Sequence, residues 1–292
     1  MRRLGVLAIV SLLVVGATAE VSPVAAAAPP SSGCGHAREP GTRLRRVTVD
    51  GWTRGYYLTV PRGYTGNRRV PMIVDLHGQG STARQEMILT GMRRQAGTRG
   101  WITVTPESGR FLWKLPSVTQ EDADFLRAVV GDVGRRLCVD IGRRFATGMS
   151  NGAGMAADMS CARRLFAAVA PVAGVNTAPP CNDEPPGPIV SFHGTADPNV
   201  DYEGRPGLDS VGRRMADWAV RNHCTSGPVT QEVKATVNLI VYRGCDAPVK
   251  LYEVEGGGHT WPGGPVLPPA IFGPTNQDID ATARILNFFA AV

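Results

Sequence analysis

The chemistry begins at a serine set among small residues. Gly148-Met149-Ser150-Asn151-Gly152 fits the Gly-x-Ser-x-Gly pattern, in which a serine on a tight strand-to-helix turn lifts its hydroxyl clear of the sheet. Small residues are needed because such a turn crowds its neighbours, and Ala153 and Gly154 continue that surface. A serine hydroxyl is a weak nucleophile until a base takes its proton. Of the five histidines, His259 is the best-placed base, in the glycine-rich run Gly256-Gly257-Gly258-His259-Thr260-Trp261-Pro262 after the last expected strand. His36 lies near the start and His223 at a helix end, while His77 and His193 precede glycines at strand exits and read as structural. Asp197, in His193-Gly194-Thr195-Ala196-Asp197, is preferred to Asp201 as the acid that orients the histidine, since it stays closer to the strand end. The order Ser150, Asp197, His259 is the one expected of serine hydrolases on an α/β sheet. The rival reading of the serine motif is a glycine-rich turn without catalysis.

Attack on a carbonyl creates an oxyanion that needs fixed donors. Leu76-His77-Gly78-Gln79-Gly80 follows an apolar run, where such hydrolases place one backbone N–H of the oxyanion hole. Gln79 and Asn151 are the expected donors. Both would act through backbone amides, leaving their side chains free to vary, and each donor is worth about 3 kcal/mol of transition-state stabilisation. His77, in the same loop, is carried as a substrate contact as well as a structural residue. Trp261, beside His259, and Trp113, in Phe111-Leu112-Trp113-Lys114, could wall an acyl pocket; plain packing is the alternative for both. The stretch from Pro262 to Pro274 could form a rim over the site.

These residues must be positioned by alternating strands and helices. Val47–Val49 and Gly55–Val60 alternate like paired strands. Val70–Leu76 is nearly all apolar, as in a strand buried on both faces of a parallel sheet. Helical character follows over Ser81–Ala96, then a strand at Trp101–Thr105 and a helix at Glu121–Leu137 with Phe125, Leu126, Val129, Val130 and Val133 at helical spacing. Arg143–Thr147 leads into the serine turn and Asn151–Arg164 into a helix. Phe166–Ala173, Ile189–Phe192 and Val249–Val254 read as strands, Met215–Arg221 and Ile279–Phe289 as helices. That alternation implies an α/β fold with right-handed crossovers.

Residues 1–28 read as an export signal: Arg2 and Arg3, an apolar run from Leu4 to Ala17, then small residues at Ala25–Ala28. Residues 29–292 then form a single catalytic domain, with no stable membrane insertion once the signal is gone. All six cysteines, Cys34, Cys138, Cys161, Cys181, Cys224 and Cys245, lie beyond the signal. An even number in an exported chain points to three disulfides, for which 15 pairings exist. The pairing chosen joins Cys224 to Cys245, Cys161 to Cys181 across a proline-rich loop, and Cys34 to Cys138. No Cys/His cluster calls for a metal, and the chemistry needs no cofactor. The formal charge of +6 falls to +5 with the signal removed. It is scattered, as in Arg43-Leu44-Arg45-Arg46, with no basic run interleaved with aromatics that would suit nucleic acid. Attraction to an acidic polysaccharide or anionic envelope is compatible with it.

From about Gly33 onward the chain resembles the secreted polyhydroxybutyrate depolymerase and feruloyl esterase group, including LpqC-type proteins. The resemblance rests on Leu76-His77-Gly78, Gly148–Gly152, Ala168-Val169-Ala170-Pro171-Val172-Ala173-Gly174, His193–Asp197 and, most distinctively, Gly257-Gly258-His259-Thr260-Trp261-Pro262-Gly263. It implies an α/β-hydrolase fold with a mostly parallel eight-stranded sheet and helices on both faces, and Ser150, Asp197 and His259 as the triad. Some members carry a cysteine in the oxyanion loop; here Gln79 and Gly80 stand there. The implied substrate is a small-molecule or polymeric ester met by a monomer. Feruloyl esters lead, polyester or short-acyl esters follow, and transfer of the acyl group to a sugar is a further alternative.

Overall fold

A computed structural model of the chain describes residues 31–115, 120–161, 165–181 and 184–292. The export signal expected at 1–28, and the last residues of the helix expected to reach 164, lie outside the described residues. The strands are β1 (Gly41–Val49), β2 (Trp52–Val60), β3 (Val70–Leu76), β4 (Ile102–Pro106), β5 (Val139–Met149), β6 (Ala168–Val172), β7 (Ile189–Gly194), β8 (Ser226–Lys234), β9 (Val237–Arg243) and β10 (Val249–Val254). The helices are α1 (Ala83–Leu89), α2 (Met92–Thr98), α3 (Gln120–Arg136), α4 (Asn151–Cys161), α5 (Val211–Arg221), α6 (Pro269–Phe272) and α7 (Ala281–Ala291).

All ten strands form one sheet, in the order β1-β2-β4-β3-β5-β6-β7-β10-β9-β8. Neighbours from β4 to β10 pair in parallel, and antiparallel strands flank them at both edges. The eight-stranded expectation therefore needs correcting to ten. The first eight strands of that order match the expected sheet, and the β8–β9 hairpin extends it beyond β10. Sequence pattern missed β8 because its residues are almost all exposed, so no buried face imposes a period of two. The cysteine pair 224–245 brackets this hairpin, and all three bridges join the chosen partners: Cys34–Cys138, Cys161–Cys181 and Cys224–Cys245.

Two apolar layers cover the sheet. One packs α3, α4 and α5 against one face, through Phe125, Val129, Met155, Met159, Met215 and Trp218. The other packs α2 and α7 against the opposite face, through Met92, Ala96, Ile285, Leu286 and Phe289. Strands β3, β4, β6 and β7 are buried along their full length, as central parallel strands covered on both faces must be. The helix expected over 81–96 is two helices. Thr90 closes α1 and Gly91, at φ 59°, sets off α2, a left-handed conformation that glycine adopts without a side-chain clash.

Candidate active site

The parallel strands β3, β5 and β7 end on the same side of the sheet, and their exits carry the candidate residues. Strand β5 ends at Met149 and α4 begins at Asn151, so Ser150 alone makes the turn, at φ 57°. A β-carbon on Gly148 would lie 2.4 Å from the Leu76 carbonyl oxygen, and one on Gly152 2.1 Å from it. One on Gly174, at the exit of β6, would lie 2.2 Å from the carbonyl oxygen of Ser150. The elbow therefore needs three glycines, and backbone strain at the serine is held in place by neighbouring backbone.

Asp197 follows β7 and His259 follows β10. The Nδ1 of His259 lies 2.7 Å from the Asp197 Oδ2. The other Asp197 oxygen accepts the Asn199 and Val200 N–H groups at 2.8 Å each. The His259 loop is fixed through its backbone: His259 N–H donates to the Phe272 oxygen at 2.5 Å and Gly258 N–H to the Pro274 oxygen at 2.8 Å. A β-carbon on Gly258 would sit 2.1 Å from the Phe272 oxygen, so the glycine run before His259 allows that close approach. Burial works to raise the Asp197 pKa, but hydrogen bonds from His193 and His259, the charge of His259 and the Val200 amide hold it well below the usual carboxylate range.

His193, a structural residue on its sequence position, also contacts Asp197, which sequence reasoning misses. Its Nε2 lies 3.3 Å from the same Oδ2 that His259 uses, and it donates to the Val200 oxygen at 2.9 Å. The Nδ1 atom is buried without a partner among the described residues. Its four-residue spacing from Asp197 was the one available sequence signal.

Ser150 and His259 line one cavity of about 440 Å³. Its other walls are Gly78, Gln79, Gly80 and Ser81, the α1 residues Gln85, Glu86, Ile88 and Leu89, and Met149, Pro265, Leu267 and Phe272. The rim expected over 262–274 supplies three of these. Asn151 opens α4, so its N–H has no acceptor within the helix and faces the turn. Gln79 lies in the loop directly beside Ser150, where a β-carbon on Gly78 would touch the Ser150 β-carbon at 3.4 Å.

The three expected substrate contacts are corrected: none of Trp261, Trp113 and His77 lines this cavity. Trp261 is 1% exposed and belongs to the core under α7, its indole donating to Thr282 Oγ1 at 3.0 Å. Trp113 is fully buried and links the loop after β3 to the start of α4. Its indole donates to the His77 carbonyl at 2.9 Å, while its backbone N–H and C=O are clasped by the Asn151 side chain at 2.7 and 2.9 Å. The Asn151 side chain is thus committed rather than free to vary. His77 is buried too. Its Nε2 accepts the Ser108 N–H at 3.1 Å, so Nδ1 carries the proton that it donates to the Gly78 oxygen at 2.8 Å. Burial lowers the His77 pKa, favouring the neutral ring that this pairing needs. Large polar aromatics bury well where their N–H groups find partners, and sequence alone shows no difference between that role and a pocket wall.

A second acidic centre adjoins the cavity at Glu86. Glu86 is fully buried, and neither of its carboxyl oxygens has a hydrogen-bond partner among the described residues. Asp75, on β3, accepts the Thr90 hydroxyl at 2.7 Å through one oxygen and leaves the other unpartnered. Burial pushes Asp75 up to about 7, and burial together with the Asp75 charge pushes Glu86 well above the usual range. Among the described residues no group of three or more His, Cys, Asp or Glu side chains is arranged to hold a metal. No helix there is long and apolar enough to cross a membrane.

The fold is that of the α/β-hydrolases. An acetyl xylan esterase from Aspergillus awamori superposes with a TM-score of 0.63 at 15% identity, covering 86% of this chain and 100% of that one. Thermogutta terrifontis esterase 2 follows at 0.57 and 16%, covering 87% and 96%. No protein-family model matches the chain. By sequence it is similar to NocK of Nocardia uniformis subsp. tsuyamanensis, a protein named as an esterase, with 29% identity over 85% of this chain and 82% of that protein. It is 27% identical to feruloyl esterase D of Neurospora crassa, over 81% and 84% of the two chains. Feruloyl esterase C of Emericella nidulans is 28% identical, over 78% and 83%. These relatives speak for the feruloyl esterase side of the resemblance.

Proposed function

We propose that the protein is an exported serine carboxylesterase working through an acyl-enzyme, with feruloyl-type esters of plant polysaccharide as its leading substrate. The observation that carries this reading is His259, held by Asp197, on the wall of a cavity that also holds Ser150 at a strained turn. The similarity to feruloyl esterases over most of the chain supports the substrate class. Three disulfides support an oxidising destination. The protein is taken to act as a monomer without cofactor.

In the proposed reaction the ester carbonyl lies between Ser150 and the oxyanion loop. Asp197 holds the Nδ1 proton of His259, leaving Nε2 bare to accept the Ser150 proton as Oγ attacks the carbonyl carbon. Negative charge moves to the carbonyl oxygen, where the Gln79 and Asn151 amides receive it. Collapse of the tetrahedral intermediate breaks the bond to the alcohol, which leaves with the proton from His259. The acyl group is now on Ser150. Water enters, gives its proton to His259, attacks the acyl carbon and releases the acid, and the proton returns to Ser150.

The walls Ile88, Leu89, Met149, Leu267 and Phe272 give the cavity an apolar lining suited to an aromatic acyl group. A polyester is the second reading, favoured by the exposed Ile88 on the cavity wall and by exposed Val266 and Ile271, each next in sequence to a wall residue. Ser150→Ala should abolish hydrolysis of p-nitrophenyl acetate while melting like the parent; equal turnover by the variant overturns the assignment. Initial rates on methyl ferulate, p-nitrophenyl butyrate and hydroxybutyrate oligomers rank the substrates, and methyl ferulate should be turned over with the highest kcat/KM. A sugar acceptor that diverts product from acid to sugar ester would replace hydrolysis with acyl transfer.

A further inference from the structure

Four arginines that the proposed esterase reaction does not use converge on one cavity of about 320 Å³ at the β1 edge of the sheet. Arg43 and Arg45 come from β1, Arg136 from the end of α3, and Arg38 from the segment preceding β1. Leu58, Val60 and Leu137, all at most 5% exposed, form an apolar floor. The cavity is built by the fold. Cys34–Cys138 ties the segment before β1 to the chain just after α3, and the Ser31 hydroxyl donates to the Leu137 oxygen at 2.7 Å. Arg43 donates to the Glu39 oxygen at 2.7 Å, and Arg136 is anchored through Nε to Asp132 at 2.8 Å. Arg38, Arg43 and Arg45 have no carboxylate partner among the described residues, and Glu39 is the one acid lining the cavity.

Four arginines against a single lining acid set up a positive potential at this pocket that attracts an anion. The guanidinium fork pairs with an oxyanion through two parallel hydrogen bonds. An apolar floor below such forks suits the flat face of a sugar ring. The volume lies at the lower end of the range of about 300–1,000 Å³ seen for small-molecule sites, enough for one residue of a polymer. The location separates it from the Ser150 cavity. Arg43 pairs with Leu58 in register, and that end of β2 runs beside the start of β4, whereas the catalytic loops leave the opposite ends of the parallel strands.

We propose that this pocket is an exosite for a uronic acid residue of an acidic polysaccharide, holding the protein on polymer while the distant cavity is free for ester. The site stands independently of the esterase reading. Its test is a calorimetric titration of the full chain with three probes: a xylo-oligosaccharide bearing one glucuronic acid, the neutral oligosaccharide of the same length, and inorganic phosphate. The acidic oligosaccharide should bind, and bind more weakly as salt rises. The Arg38→Gln/Arg45→Gln variant should lose about tenfold or more in affinity while hydrolysing p-nitrophenyl acetate like the parent. If that variant melts early, Arg43→Glu, on an exposed side chain, takes its place with the same expected loss. Unchanged binding by a folded variant, or equal binding of the neutral oligosaccharide, overturns the site. Phosphate binding as tightly as the acidic oligosaccharide overturns the uronic acid assignment.

Discussion

Asp197 and Glu86 are both buried acids beside the cavity that holds Ser150, and the fold treats them in opposite ways. Asp197 receives two imidazoles on one oxygen and two backbone amides on the other. Its charge survives burial, and its pKa is held down. Glu86 has the Asp75 carboxyl as its acidic neighbour, and among the described residues neither of its oxygens has a well-formed hydrogen bond; the Met149 amide offsets its burial only in part. Its pKa is driven up, and it stays protonated where Asp197 is ionised. Burial alone raises a carboxyl pKa; the donors decide whether it stays raised. The contrast suits the chemistry proposed here. A negative charge beside His259 stabilises the imidazolium that forms in the reaction, whereas one on the cavity wall at Glu86 would oppose the charge developing on the carbonyl oxygen.

The largest expected break in that contrast is Asp197→Asn. The asparagine oxygen can still accept the Asn199 and Val200 amides, so the turn should hold, but the Nδ1 proton of His259 loses its charged acceptor. A fall in kcat on the order of 10⁴-fold is expected, with a melting temperature near that of the parent. A loss below tenfold would show that Asp197 does not serve His259.

His193→Phe is expected to do less, by acting through Asp197. The His193 Nε2–H already donates to the Val200 oxygen and reaches Asp197 only as a longer, shared contact at 3.3 Å, so kcat should fall by about tenfold or less. The hydrogen bond from His193 is one of the interactions holding the Asp197 pKa down. Without it, the acid limb of the kcat profile should move to higher pH. His193→Gln, which keeps a donor, should recover part of both effects. A purely structural role predicts an unmoved acid limb.

The contrast also marks what could be read in advance. The meeting of Asp197 with His259, and of His259 with Ser150 at one cavity, was legible because each residue sits in a short motif whose types the proposed chemistry restricts. The glycines around them were legible for a steric reason that the 2.1–2.4 Å approaches at Gly148, Gly152 and Gly258 make concrete. The parallel strands were legible because β3 and β7 are buried end to end. The β8–β9 hairpin was not, since an exposed edge carries no hydrophobic period. Trp113 and Trp261 were placed on the wrong side of the site because a tryptophan bracing a catalytic loop and one walling a pocket have the same local sequence. Glu86 was invisible as a buried acid: in Ala83–Leu89 it reads as an ordinary polar helix residue, and only the meeting of α1 with β3 shuts it away from water.

Asp75→Asn tests the other side of the contrast and should have the smallest effect, on stability rather than turnover. The folded-state pKa of Asp75, about 7, lies above the ordinary carboxylate value of about 3.9. Between those values the native state binds a proton that the unfolded chain has released. Stability from this group is therefore fully present below about pH 4 and is lost as pH rises through about 7. Asp197 has the opposite sign: its contribution is present above about pH 4 and is lost as pH falls through its depressed value. The asparagine can still accept the Thr90 hydroxyl but cannot ionise. Relative to the parent, the variant should therefore gain in melting temperature between pH 5 and pH 8, by about 3 °C for each kcal/mol that the parent loses. Parallel melting curves across that range would mean that Asp75 is not the group titrating there, and the acidic centre beside the cavity would lose its claim to be held neutral by the fold.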